Sequence, residues 1–196
     1  MPEQNVHLVA GLGNPGAEYA GTRHNAGFMA LDLLAAAHGI DLQRRKFDVL
    51  FGRGRIRGVD VVLAKPQAYM NRSGPPLRQL ADFFRIQSEA IVVVHDDIDL
   101  AFQRLKIKEK GGDGGHKGIR SIIDAFGGGQ FARIRLGVGR SEKGAQVVDH
   151  VLSTFNRDER TGLDELLQRA CDAITTILCA SITEAMNRFN QDSSKP

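Results

Sequence analysis

Short apolar runs and helical stripes of apolar residues follow one another along the chain, each closed by glycine, proline or polar residues. Val6–Ala10 is a brief run of strand character. Phe28, Leu31 and Ala35 recur at helical spacing within Asn25–His38, and Gly39 supplies a stop. Phe47–Ile56 and Val59–Ala64 read as two strands joined by a turn at Gly58. Ser73 stands at a helix cap, Pro75 and Pro76 fall in the first turn, and Leu77, Leu80, Ala81 and Phe84 form the buried stripe. Ala90–Val94 is apolar throughout, the profile of a central strand covered on both faces. Gln103–Lys108 is short and strongly basic, which places it at a sheet edge. Ile119, Ile122, Ile123 and Phe126 mark a short helix, and Ala132–Val138 alternates apolar residues with arginine as a half-exposed strand does. From Asp158 to about Asn190 the pattern is helical, with a break near Ser181. Gln191–Pro196 is expected to be a disordered tail.

Strands alternating with helices predict a single α/β domain over residues 1–190, a twisted mixed β-sheet flanked by helices. A chain of 196 residues suffices for one sizeable core, and 42% apolar with 25% charged residues is ordinary for a globular protein. Charge changes the picture more than composition does. The net charge is only +3, yet residues 44–57 hold Arg44, Arg45, Lys46, Arg53, Arg55 and Arg57 against the single Asp48. Residues 103–143 hold ten Lys or Arg against four acids. Such local excess suits a phosphate-rich partner better than a neutral metabolite. Cys171 and Cys179 lie in helical pattern about 12 Å apart, too far for a disulfide, so both are expected as buried free thiols in a reducing compartment. The first residues lack a charged-then-apolar leader pattern, and no apolar run approaches membrane-spanning length. A soluble cytoplasmic protein is the expectation.

Candidate chemistry gathers after the strands. Gly11-Leu-Gly13-Asn14-Pro-Gly16 follows the first strand and is trailed by Tyr19, Thr22, Arg23, His24 and Asn25. The glycines match a dinucleotide fingerprint in form only, because the helix comes late and no second strand ends in an acid at the required spacing. Tyr69-Met70-Asn71, His95-Asp96-Asp97 and Gly111–Gly118 are the other polar clusters. The glycine loop is not a P-loop, since His116 precedes Lys117 and no Ser or Thr follows it. A metal site at His95, Asp96, Asp97 and Asp99 lacks a recognised ligand spacing. If Asp96 meets His24, the carboxylate orients one imidazole nitrogen and leaves the other to take a proton from water. The carboxamides of Asn14 and Asn71 suit the holding of an ester or amide. No serine or cysteine motif offers a covalent nucleophile, so direct attack by water is favoured.

The motif Gly11-Leu-Gly-Asn14-Pro-Gly16-x-x-Tyr19-x-x-Thr22-Arg-His24-Asn25-x-Gly27 resembles the opening of the bacterial-type peptidyl-tRNA hydrolases. Tyr69-Met-Asn71-x-Ser-Gly74, His95-Asp96-Asp-Ile-Asp99 and Gly114-Gly-His116-x-Gly118 are similar to the later motifs of that family, in the same order. The resemblance covers about residues 6–190 and implies a monomeric, cofactor-free and metal-free cytoplasmic esterase. Its expected partner is peptidyl-tRNA, engaged at the acceptor arm and 3′ end, with no membrane and no protein partner implied. By resemblance His24 is the general base and Asp96 its orienting partner. Asn14 and Asn71 position substrate and water, Tyr19 lies beside the pocket, and Tyr69 and Lys117 complete the substrate-binding set. Lys108 and Arg135 match positions that hold the tRNA 5′-phosphate. Lys117 departs from the family, which has asparagine there. It is expected to turn outward toward a phosphate, because a long cation flanked by glycines gains solvent that way. A second class of function is implied by relatives that use the same fold only to bind RNA.

Overall fold

The apolar runs of the chain lie side by side at the centre of one sheet. In the computed structural model, which describes residues 6–141 and 146–191, β1 (His7–Gly11), β4 (Val59–Pro66), β5 (Ile91–Asp97) and β7 (Ala132–Gly137) pair in parallel. β2 (Arg44–Lys46) and β3 (Val49–Ile56) extend the sheet beyond β4, and β6 (Leu105–Lys108) closes the far edge, all antiparallel to their neighbours. The order is β2-β3-β4-β1-β5-β7-β6, the mixed α/β sheet expected.

Helices α1 (Ala26–Ala37), α5 (Arg160–Cys179) and α6 (Ile182–Phe189) cover one face, where Leu31, Leu34, Ala170 and Ile174 pack with Val9, Leu63 and Val94. Helices α2 (Gly74–Phe83) and α3 (Lys117–Phe126) cover the other, where Leu77, Leu80, Ile119 and Ile122 pack with Leu8, Val62 and Val93. A short helix, α4 (Val147–Val151), lies outside every expectation from pattern. One close approach governs the site. A Cβ on Gly27 would stand 2.3 Å from the Val94 carbonyl oxygen and 2.6 Å from the Leu12 nitrogen. Glycine therefore lets α1 begin directly against the ends of β1 and β5.

Several local expectations are corrected. The predicted strand Phe47–Ile56 begins only at Val49, because Phe47 and Asp48 take φ of 52° and 56° and turn the chain out of β2. Ser73 does not cap α2. It is already helical, its hydroxyl donates to the Met70 carbonyl, and the Gly74 N–H is met instead by Ser121 Oγ from α3. The central strand runs on to Asp97, because its ladder with β7 continues past the last apolar residue. β7 is not half-exposed: Arg133 is 2% exposed, its guanidinium covered by backbone carbonyls of Gly111, Gly112 and Gly129. The long helical stretch does break at Ser181, whose hydroxyl accepts from Glu184 N–H at the start of α6. Cys171 is a buried free thiol as expected, but Cys179 is exposed. The tail expected to be disordered lies, beyond Gln191, outside the described residues. Among the described residues no helix is long and apolar enough to cross a membrane.

Candidate active site

The loop after β1 is fastened from within. Asn14 N–H donates to Asn25 Oδ1 at 2.9 Å, and Asn25 Nδ2 donates back to the Asn14 carbonyl at 3.0 Å. Met70 N–H donates to Asn14 Oδ1 at 2.8 Å, which orients the Asn14 amide so that its remaining group is the Nδ2 donor. Arg23 anchors the far side through Glu159 at 3.0 Å and Ser153 Oγ at 3.2 Å, with its guanidinium over the Phe155 ring. The turn Arg23–Asn25 runs straight into α1 and delivers His24 to the end of β5.

There Asp96 Oδ1 receives two imidazoles. His24 Nδ1 and His116 Nε2 each lie 2.9 Å from it. The His116 tautomer follows from its other nitrogen: Nδ1 accepts the N–H groups of Gly118 and Ile119 at 3.2 Å, capping α3, so the proton is on Nε2 and is donated to Asp96. Asp96 is 1% exposed. Burial alone pushes its carboxyl up, but the two adjoining imidazoles, His116 first and then His24, outweigh this through their electrostatics and hydrogen bonds and hold it below the ordinary carboxylate range. His24 Nδ1 thus donates to a carboxylate, which leaves Nε2 as the free lone pair. Beneath them, His95 donates Nδ1–H to the Asp96 carbonyl at 2.7 Å, and its ring meets that of His116 edge-on. Burial, with His116 adding to it, holds His95 well below the ordinary imidazole range, and its Nε2 has no hydrogen-bond partner among the described residues.

His24, Asp96 and His116 line a cleft of about 590 Å³ together with Asn14, Tyr69, Asn71 and Lys117. Val147, Val148, Val151 and Leu152 give it an apolar wall. Tyr69 is 60% exposed, and Asn71 keeps its carboxamide free among the described residues. Lys117 is exposed as expected, yet it lines the cleft rather than turning away from it. Tyr19 does not line the cleft; its carbonyl accepts from the Thr22 N–H and hydroxyl and shapes the loop. Lys108 and Arg135 also lie outside the lining, on one face of the β6–β7 pair, where Lys106 faces Arg135 and Lys108 faces Arg133. Arg135 is paired with Asp97, and Arg140 with Asp99. The four residues weighed as metal ligands therefore do not converge. The donor atoms that do, from His24, Asp96 and His116, lie within 4.8 Å and are already hydrogen-bonded to one another.

This arrangement of His, Asp and Asn can activate water beside a bound carbonyl. A family profile described as peptidyl-tRNA hydrolase matches residues 8–196. The chain belongs to the peptidyl-tRNA hydrolase family. The peptidyl-tRNA hydrolase of Caldanaerobacter subterraneus subsp. tengcongensis is 44% identical over 185 residues, covering 94% of this chain and 100% of the relative. That of Desulforudis audaxviator is 46% identical, covering 94% of this chain and 93% of the relative. The crystal structure of peptidyl-tRNA hydrolase from Acinetobacter baumannii superposes with a TM-score of 0.89 at 39% identity over 95% of each chain.

Within this member of the peptidyl-tRNA hydrolase family, sequence reasoning named five residues that the fold does bring to the cleft beside Asp96: Asn14, His24, Tyr69, Asn71 and Lys117. It missed His116 as a partner of Asp96 and Asn25 as the lock on Asn14. The signal for His116 was present. A histidine just before Lys117-Gly118-Ile119 stands at a helix start, where an acceptor is wanted.

Proposed function

We propose that this protein hydrolyses the ester joining the peptide to the tRNA in peptidyl-tRNA, with His24 as general base. The observation behind this reading is the buried Asp96 carboxylate 2.9 Å from His24 Nδ1, with the opposite face of the ring at the cleft. His24 Nε2 takes a proton from water as the water oxygen bonds to the ester carbonyl carbon. Asp96 stabilises the imidazolium that forms. Asn14 Nδ2 and the Asn71 amide are placed to hold the carbonyl and the water. Collapse of the tetrahedral intermediate breaks the bond to the ribose oxygen, which recovers the proton. The products are free tRNA and a peptide acid.

Lys108 and Arg135 take the phosphate of the acceptor arm, so that the 3′ end crosses from β6 and β7 into the cleft. Lys108 is exposed for this, whereas Arg135 shares itself with Asp97. All of these groups belong to one chain, so a monomer suffices. The test is turnover of N-acetyl-aminoacyl-tRNA. His24→Ala is expected to lose about 10²–10⁴-fold in kcat while retaining tRNA binding. Near-native turnover by His24→Ala would overturn the assignment.

A further inference from the structure

On the side of the cleft away from β6 and β7, the sheet ends in a surface that this chemistry leaves unused. Phe47 and Phe83 are 37% and 54% exposed, and their rings meet edge to face at 6.0 Å. Phe83 leads inward to Phe84 at 5.0 Å, and Phe84 to Phe51 at 5.7 Å, an aromatic series from solvent to core. Lys46 Nζ stands 4.9 Å from the Phe47 ring centroid and 4.5 Å from that of Phe83. Beside it Arg44 and Arg45 are exposed on the edge strand β2, with no acidic partner among the described residues. Phe47 holds a φ of 52°, a conformation that bulky residues rarely adopt. Core packing requires none of this, since both exposed rings lie outside the buried cluster.

The surface is joined to the cleft. Gln67, two residues before Tyr69, donates its backbone N–H at 2.7 Å to the carbonyl of Asp48, next to Phe47. We infer that the aromatic and basic surface of Lys46, Phe47 and Phe83 receives the peptide part of the substrate, several residues back from the ester, and favours acidic and aromatic side chains. The inference rests on the reading above in which Lys108 and Arg135 take the tRNA. The peptide and the tRNA leave the scissile ester in opposite directions. With the tRNA over β7 and β6, the peptide leaves over β1, β4 and β3 toward β2. Four strand spacings separate β5 from β2, about 19 Å. An extended chain covers that in about five or six residues. Exposed rings bind side chains of varied shape, and the cation between them adds selectivity for negative charge.

Two substrates on the same tRNA test it: an N-acetyl-aminoacyl ester, and an N-acetyl-heptapeptidyl ester with Asp and Phe at its far end. Phe83→Ala and Lys46→Ala are each expected to raise KM for the long substrate about two- to fivefold, with kcat and the KM for the short substrate unchanged. Lys46→Glu should reverse the preference between heptapeptides ending in Asp and in Lys, and it avoids any folding defect of Phe83→Ala. An equal rise in KM on both substrates would put the surface on the RNA and overturn the inference, as would no change on either. Lys108→Ala tests the premise separately, since it should raise KM equally for both substrates.

Discussion

Two loops bring the reacting groups to Asp96, and they are built in opposite ways. The loop after β1 is buried at its two ends, with Gly16, Ala17, Glu18, Ala20 and Gly21 exposed between them: Asn14, Thr22, Arg23 and Asn25 are each 8% exposed or less, and the Asn14–Asn25 pair closes it with reciprocal hydrogen bonds. The segment before α3 is exposed and rich in glycine, with positive φ at Gly111, Gly114 and Gly115. It is tied at its ends, by Arg133 to the carbonyls of Gly111 and Gly112 and by the His116 ring to Asp96. Between these ties Asp113 Oδ1 accepts the Gly115 N–H at 2.6 Å. The difference separates two tasks. In the proposed reaction the general base must be held within a fraction of an ångström of its water, and the lock fixes the turn that carries His24. Lys117, the first residue of α3, lines the cleft from the looser side, where the peptide of the proposed substrate varies in sequence.

Asp96→Asn attacks the point where the loops meet. Both imidazoles bond the same oxygen, Oδ1, so asparagine can accept from both and keep their tautomers. Only the charge is lost. We expect about a 10²-fold fall in kcat, smaller than for His24→Ala, because the imidazolium formed in the reaction no longer has a charge to stabilise it. A loss as large as that of His24→Ala would mean that the tautomer had changed.

Asn25→Ala opens the buried lock and leaves the Asn14 N–H and carbonyl without partners. About 2 kcal/mol of stability should be lost in a denaturation curve, with about a tenfold fall in kcat. Asn25→Asp keeps the acceptor and loses the donor, so its loss should be intermediate.

His95 lies under both loops, and its test is pH. Its folded pKa is lowered by burial, while the unfolded chain takes up that proton near pH 6.5. Stability is therefore full above about pH 6.5 and falls as the pH drops below it, by up to about 1.4 kcal/mol per pH unit for this one group. His95→Gln should flatten that slope. An unchanged slope would assign the acid sensitivity elsewhere.

Arg133→Lys should have the smallest effect on chemistry. It removes the fork that holds Gly111 and Gly112, so amide hydrogen exchange over 111–115 should quicken while residues 11–25 stay protected. KM should rise about threefold with kcat little changed. Faster exchange in both loops would show that they are not independent.

Much of this was legible before any coordinates. Ala90–Val94 reads as a central strand because apolar runs covered on both faces have no other place in a sheet. The stripe Ile119, Ile122, Phe126 reads as a helix because residues three and four apart share a face. The four motifs marked the family and proposed His24 and Asp96 as a pair. These are local signals, and neighbours along the chain suffice to produce them.

What the tertiary structure alone decided lies at longer range. The His24–Asp96 bond spans 72 positions, Met70 to Asn14 spans 56, and Arg23 to Glu159 spans 136. Whether such groups meet depends on strand order and register, which no periodicity records. The same holds for Arg133 and Arg135, whose alternation suggested a solvated face. The carbonyls of the glycine segment cover Arg133, and Asp97 pairs with the partly buried Arg135, because a guanidinium taken from water must find carbonyl or carboxylate partners. The sequence by itself determined most of the elements, though not α4 or β2, and the family they compose. Only the packing of β1, β5 and α3 decided that Asp96 serves two histidines and that Asn14 offers its donor, because hydrogen-bond direction is set by the partner that folding brings within reach.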